Sequence, residues 1–220
     1  MVRDDPESGD SRRTEGTCGM VVVASVDPAA VTPREEIFVG GLEKRPIVIA
    51  AYRPEWVTRF AHEQARIVGA LGEAAVRVEH IGSTSVQGLA AKPIIDIQVS
   101  VADMTDSACF EGPLLRVGYV VRVREHGEHW MFRTAEQDVH IHVCEAGSDW
   151  EHRHLLFRDW LRHDAADRAA YEAAKRALAA LDWPSMQHYA EAKSDIIQEI
   201  TTRARPWATT TGWTVPAPRG

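Results

Sequence analysis

Cysteine is scarce in this chain. Cys18, Cys109 and Cys144 are the only three in 220 residues. They are odd in number and far apart, which excludes a disulfide framework and any paired-cysteine metal knuckle. Reduced thiols in a cytosolic protein are the simplest expectation. Long apolar runs are missing too: none approaches the roughly 20 residues that cross a bilayer. Met1 to Met20 is rich in Asp, Glu, Arg and Ser and lacks the apolar centre of a secretory signal, and Val21-Val22-Val23 is too short to supply one. A cytoplasmic location with no membrane partner is expected, with Met20 an alternative start. Positive charge is in deficit, 25 Lys and Arg against 32 Asp and Glu, for a net charge of -7. That argues against nucleic acid as a partner, while leaving room for a local basic pocket. No internal repeat of domain size is present.

What remains is ordinary globular material. Hydrophobic content of 45% is enough to bury a core, and the length suits one domain. Residues 1–41 read as a flexible polar arm. Residues 42–208 read as the folded part, and 209–220 as a C-terminal tail, with looseness expected from Pro206 onward. Ile47 to Ala51 is strand-like, and Pro54 opens a helix at a position that tolerates its missing N–H. Trp56, Phe60, Ile67 and Leu71 share one face of that helix. Val76 to Ile81 and Ile94 to Val101 are strands by β-branched content, the second read as apolar on both sides and doubly covered. Thr105 or Asp106 can cap a short helix to about Leu115. Gly118 to Arg124 and His129 to Thr134 form a hairpin around His126-Gly127-Glu128. Asp138 to Cys144 is a further strand. After Gly147 the pattern is helical, over Trp150 to His163, Ala165 to Leu181 and Ser185 to Ala204. Strands first and helices afterwards predict an α+β fold, a mixed β-sheet core with a helical C-terminal part.

The chemistry concentrates in Val78-Glu79-His80-Ile81-Gly82-Ser83-Thr84-Ser85 and Lys92-Pro93-Ile94-Ile95-Asp96-Ile97-Gln98-Val99. A Gly-Ser turn lets backbone and hydroxyls approach a phosphate, and it is also an ordinary tight turn. Asp96 sits in an apolar strand, where burial raises a carboxyl's pKa unless a cation such as a metal ion meets it. It is either such a ligand or an anchor for buried donors. Lys92 places a cation just before that strand. In the later strand, alternation puts Asp138, His140 and His142 on one face. Two such imidazoles bind a transition metal, act as acid and base, contact a phosphate, or lie on a solvated face. His80 reaches the pocket or bonds a carbonyl. Tyr171 and Lys175, then Tyr189 and Lys193, repeat one aromatic-to-lysine spacing. Lys193 lies on an apolar stripe and either snorkels or serves a pocket. Lys175 and Arg158 read as surface charges.

These segments resemble the signature of the GrpB family, whose members look like nucleotidyltransferase-fold proteins. The likeness runs from about Leu42 to Trp207. It includes Tyr52-Arg53-Pro54-Glu55-Trp56 and the stretch Leu155-Leu156-Phe157-Arg158-Asp159-Trp160-Leu161-Arg162, with Trp160 in an aromatic place and Gln87 where the family has Pro. The resemblance implies a nucleotidyltransferase-like fold in which the Gly-Ser turn holds a triphosphate. Its nucleotide-binding set here would be His80, Gly82, Ser83, Thr84, Ser85, Lys92, Arg158 and Lys193. Asp96 would place magnesium, and His142, with His140, would stand in for a missing carboxylate as a catalytic group. The expected partners are a nucleoside triphosphate and a small-molecule acceptor. The superfamily's Asp-x-Asp is reduced here to Asp96 and Gln98, so a non-catalytic nucleotide or anion binder, or an accessory module, is the rival expectation. Some relatives are fused to dephospho-CoA kinase.

Overall fold

The computed structural model describes residues 26–33, 37–125 and 127–218. The greater part of the expected arm, with Cys18 and Met20, lies outside them, as does His126 in the hairpin turn. In chain order the elements are α1 (Glu55–Leu71), β1 (Arg77–Ile81), β2 (Ile95–Val101), α2 (Glu111–Arg116), β3 (Val120–Glu125), β4 (His129–Arg133), β5 (Val139–Glu145), α3 (Asp149–His163), α4 (Ala165–Ala179), α5 (Met186–Glu191) and α6 (Ser194–Thr211). No helix among the described residues is long and apolar enough to cross a membrane.

The strands form one mixed sheet in the order β1-β2-β5-β4-β3. Only β2 and β5 run parallel, and the other neighbours are antiparallel. The predicted α+β arrangement is therefore present: sheet first, helices after. Alternation sorts the two faces. Ile95, Ile97, Val99 and Val101 of β2 join Val139, Ile141 and Val143 of β5 under Trp56, Ile67 and Leu71 of α1 and Leu114 of α2. The other face of β2 is not apolar, as the sequence reading had it. It carries Asp96, Gln98 and Ser100, and Gln98 and Ser100 are fully buried.

Helix α3 covers that polar face with polar groups of its own. Arg77 of β1 and Ser100 of β2 both donate to Glu151, whose other oxygen accepts from the Gly147 amide. Ser148 caps α3 by accepting from the Glu151 amide at 3.3 Å. Arg158, about two turns further along the same helix face, donates to Glu79 of β1 at 2.7 Å and to the carbonyl of His80 at 3.2 Å. Polar groups buried without water require such partners, so this network fixes how α3 lies on the sheet.

Three segments depart from expectation. Ile47 to Ala51 makes only a single bridge, Ala50 to Ala91, and no strand. The helix expected over Ser185 to Ala204 breaks after α5, which leaves Lys193 at the head of α6. The segment from Pro206 is not loose: α6 continues through it to Thr211 and closes on Gly212 in the left-handed region. Trp207 stacks on His163, and the Trp213 indole donates to Asp159 at 3.0 Å. Aromatic anchors thus outweigh one missing backbone donor.

Candidate functional site

Gly82 ends β1 against the side chain of Asp96. Its backbone sits at φ 68°, ψ -175°, a region that only glycine occupies without strain. A Cβ added there would lie 2.5 Å from Asp96 Oδ2. Glycine is required both for the turn and for the carboxylate beside it. Ser83 starts a single 3-10 turn, Ser83–Ser85, whose hydroxyls do different things. Ser85 Oγ donates back to the Gly82 carbonyl at 2.6 Å. Thr84 is buried and donates to the Ile94 carbonyl at 3.1 Å, so the His80 Nε2–H donates to Thr84 Oγ1 at 3.0 Å. Ser83 Oγ instead accepts from Lys175 Nζ at 2.9 Å.

Lys175 is buried at 3% exposure, and it also donates to the Ala90 carbonyl. Burial, with Lys193 nearby, pulls its pKa down to about 7. Lys193 is likewise pulled down to about 7, by burial and then by Lys92. Burial lowers Lys92 as well, against the attraction of Asp96. Lys92 and Lys193 share the ring of Tyr189, with Nζ atoms 5.2 and 4.9 Å from its centroid. Lys92 and Lys193 thus lie near Asp96, while Lys175 sits between the Ser83 hydroxyl and Lys193 with Glu172 nearby, and none of the three has a direct ion pair among the described residues.

Asp96 is paired in register with His140, and Gln98 with His142. Asp96 Oδ1 lies 3.5 Å from His140 Nδ1 and 3.5 Å from His142 Nε2. Burial alone would raise its pKa, as expected from the sequence. The two facing imidazoles reverse the sign and hold it below the usual carboxylate range. Behind His142, its Nδ1 is 2.9 Å from His129 Nε2, and both rings stack on Trp150.

The structure therefore brings together Gly82, Ser83, Lys92, Asp96, His140, His142 and Lys193. His80 stands on the other face of the sheet: its register partner is Ile97, it stacks on Phe60 of α1, and burial lowers its pKa to about 4. Thr84 and Ser85 spend their hydroxyls on the Ile94 and Gly82 carbonyls. Arg158 is not a surface charge and does not reach the pocket, since Glu79, Asp159 and the His80 carbonyl take its guanidinium. Sequence reasoning read Lys175 as a surface charge and passed over His129. Lys175 carried a signal, because Tyr171, Ala174 and Leu178 place position 175 on the buried face of α4.

A family model described as GrpB protein matches residues 46–203. The chain belongs to the GrpB family. It is 51% identical over 166 residues to a UPF0157 protein of Streptomyces coelicolor, covering 76% of this chain and 88% of that one. The crystal structure of a conserved GrpB protein from Enterococcus faecalis is similar at a TM-score of 0.65 and 33% identity, over 73% of this chain and 99% of that one. A Mycobacterium leprae protein named dephospho-CoA kinase is 30% identical over 199 residues; the match spans 76% of this chain and 48% of that protein.

For this GrpB chain the donor set around Asp96 does not fit magnesium. Magnesium is held by oxygen, through carboxylates, phosphates and water. Here one carboxylate is flanked by two imidazoles, and the place of a second carboxylate holds Gln98. That side chain is fully buried, with its Oε1 lacking a partner among the described residues. A cavity lined by Asp149, His152, Arg153, Arg205 and Trp213 among others includes none of the residues around Asp96.

Proposed function

We propose that this GrpB chain binds a nucleoside triphosphate and transfers its nucleotidyl group to a small-molecule acceptor. The observation that carries the reading is a cluster of three lysines beside the Gly82-Ser83 turn: Lys175 donates to Ser83, and Lys92 and Lys193 share the ring of Tyr189 near Asp96. Desolvated ammonium groups are costly, and a bound polyanion offsets that cost. In this reading Ser83 and the lysines hold the β- and γ-phosphates. An acceptor hydroxyl, amine or carboxylate attacks the α-phosphorus, the bond to the bridging oxygen breaks, and pyrophosphate leaves with its charge met by the lysines. Asp96, His140 and His142 line the side of the pocket next to the turn. Magnesium has no part in this reading, because Asp96 is flanked by two imidazoles and Gln98 stands where a second carboxylate would be.

The pocket lysines make binding depend on pH in a definite direction. With pKa values near 7 in the free protein, Lys175 and Lys193 are cationic below that and neutral above it. Triphosphate affinity should therefore fall as pH rises from 6 to 9, by up to about tenfold per unit for each lysine that must take up a proton. Calorimetric titration of ATP, CTP, GTP and UTP at pH 6.5 and 8.5 measures this. Lys175→Met should weaken binding by roughly 10- to 100-fold, the worth of a charge-assisted hydrogen bond. No binding by any of the four at millimolar concentration would end the proposal.

A second reading, a non-catalytic nucleotide or anion binder, is favoured by Gln98 in place of the second carboxylate. It predicts the same affinities with no pyrophosphate release from any acceptor. Turnover that vanishes in Asp96→Asn would exclude it. The match to part of a protein named dephospho-CoA kinase leaves an accessory role beside a nucleotide-handling enzyme within this second reading.

A further inference from the structure

We propose that Asp96, His140 and His142 form a binding site for a divalent first-row transition ion of the zinc class, where the family resemblance implies magnesium. One ligand atom from each of the three lies within 4.8 Å of the others. The two nitrogen-to-oxygen separations are both 3.5 Å. That is long for a charge-assisted hydrogen bond, which runs about 2.7–2.9 Å. It is close to the edge of a tetrahedron, about 3.3 Å when metal–ligand bonds are roughly 2.0–2.1 Å. Neutral imidazole nitrogen with one carboxylate oxygen is a donor set that suits zinc, cobalt(II) or nickel.

The surroundings hold the donors in this arrangement. All three ligands stand on β2 and β5, two interior strands paired in parallel register, so their backbone positions are fixed by the sheet's own hydrogen bonds. His129 supports the outer side of His142. When the His142 Nδ1–H donates to His129 Nε2 across 2.9 Å, the Nε2 lone pair points toward Asp96. In that tautomer two electron-rich atoms face each other, and a bound cation would bridge them; without an ion the other tautomer lets the His142 Nε2–H face Asp96 instead. A second ring partner of this kind orients most metal-bound histidines. The unpartnered Gln98 Oε1 adds an acceptor on the same strand face. Three protein ligands leave a fourth position open, the pattern of sites that do chemistry rather than hold a fold. The ion would supply divalent charge beside the lysine pocket.

The proposal shares Asp96 with the nucleotide reading but does not depend on it, because the ion should bind with no nucleotide present. The test is titration of the chelator-stripped full chain with cobalt(II), then zinc, without nucleotide. One equivalent of cobalt should give the strong visible bands of a four-coordinate ion, and zinc should displace it. Magnesium at the same concentration should do neither. Asp96→Asn and His142→Gln should each abolish the bands in protein that circular dichroism shows folded. His129→Ala should weaken cobalt affinity by about 10- to 100-fold. A featureless titration of the parent overturns the proposal. So do bands that survive in whichever of the two ligand variants folds, or a thiolate charge-transfer band that assigns the ion to cysteine. ATP titration of the same stripped protein is scored separately, so failure at one site is not mistaken for failure at the other.

Discussion

Gly82→Ala should cost about 2–4 kcal/mol of folding stability and remove triphosphate binding at the same time. The backbone at φ 68°, ψ -175° is worth about 1–3 kcal/mol against any residue with a Cβ. The added carbon would also sit 2.5 Å from Asp96 Oδ2, so either the turn or the carboxylate must move. Moving the turn carries Ser83 away from Lys175, and moving the carboxylate breaks its register with the imidazoles. Urea unfolding gives the first quantity and calorimetric titration the second. A variant within about 0.5 kcal/mol of the parent, in the range of ordinary surface substitutions, and still binding nucleotide, would show that the close approach has been misjudged.

Glu151→Ala should be the largest purely structural loss. Glu151 is 1% exposed and takes Arg77, Ser100 and the Gly147 amide together. Removing it strands the buried Arg77 guanidinium, an uncompensated charge worth roughly 3–5 kcal/mol. For a chain of this size the melting temperature should fall by roughly 10 °C. Glu151→Gln keeps the shape and part of the hydrogen bonding, so its loss should be smaller. A shift under about 2 °C for the alanine variant would mean that α3 is not held to the sheet by this network. The site bears on this as well, since α3 also carries Trp150, on which His142 stacks.

Much of this arrangement is legible in the sequence, because strand parity and turn chemistry are local. Asp96, His140 and His142 could be put on their strand faces by alternation alone, and Gly82-Ser83 announces a turn without any partner in view. What escaped depends on register and on distant partners. His80 was placed with the pocket, yet antiparallel pairing sets it opposite Ile97 on the α1 face, and nothing near residue 80 encodes that pairing. Arg158 looked like a counter-charge because Glu79, which claims it, is far away along the chain. Lys175 looked like a surface charge on an alanine-rich helix until the burial of Tyr171, Ala174 and Leu178 defined its face. The run from Pro206 looked loose because composition counts prolines and threonines but not the stacking of Trp207 on His163.

The central claim is that a polyanion sits on the Gly82-Ser83 turn among Lys92, Lys175 and Lys193. A crystal structure of the chain with a non-hydrolysable nucleoside triphosphate at pH 6.5 tests it most directly. The account predicts phosphate oxygens within hydrogen-bonding distance of Ser83 Oγ and Lys175 Nζ, with Lys92 or Lys193 on the same phosphates. A nucleotide seated elsewhere, for example in the cavity lined by Arg153 and Arg205, would contradict it.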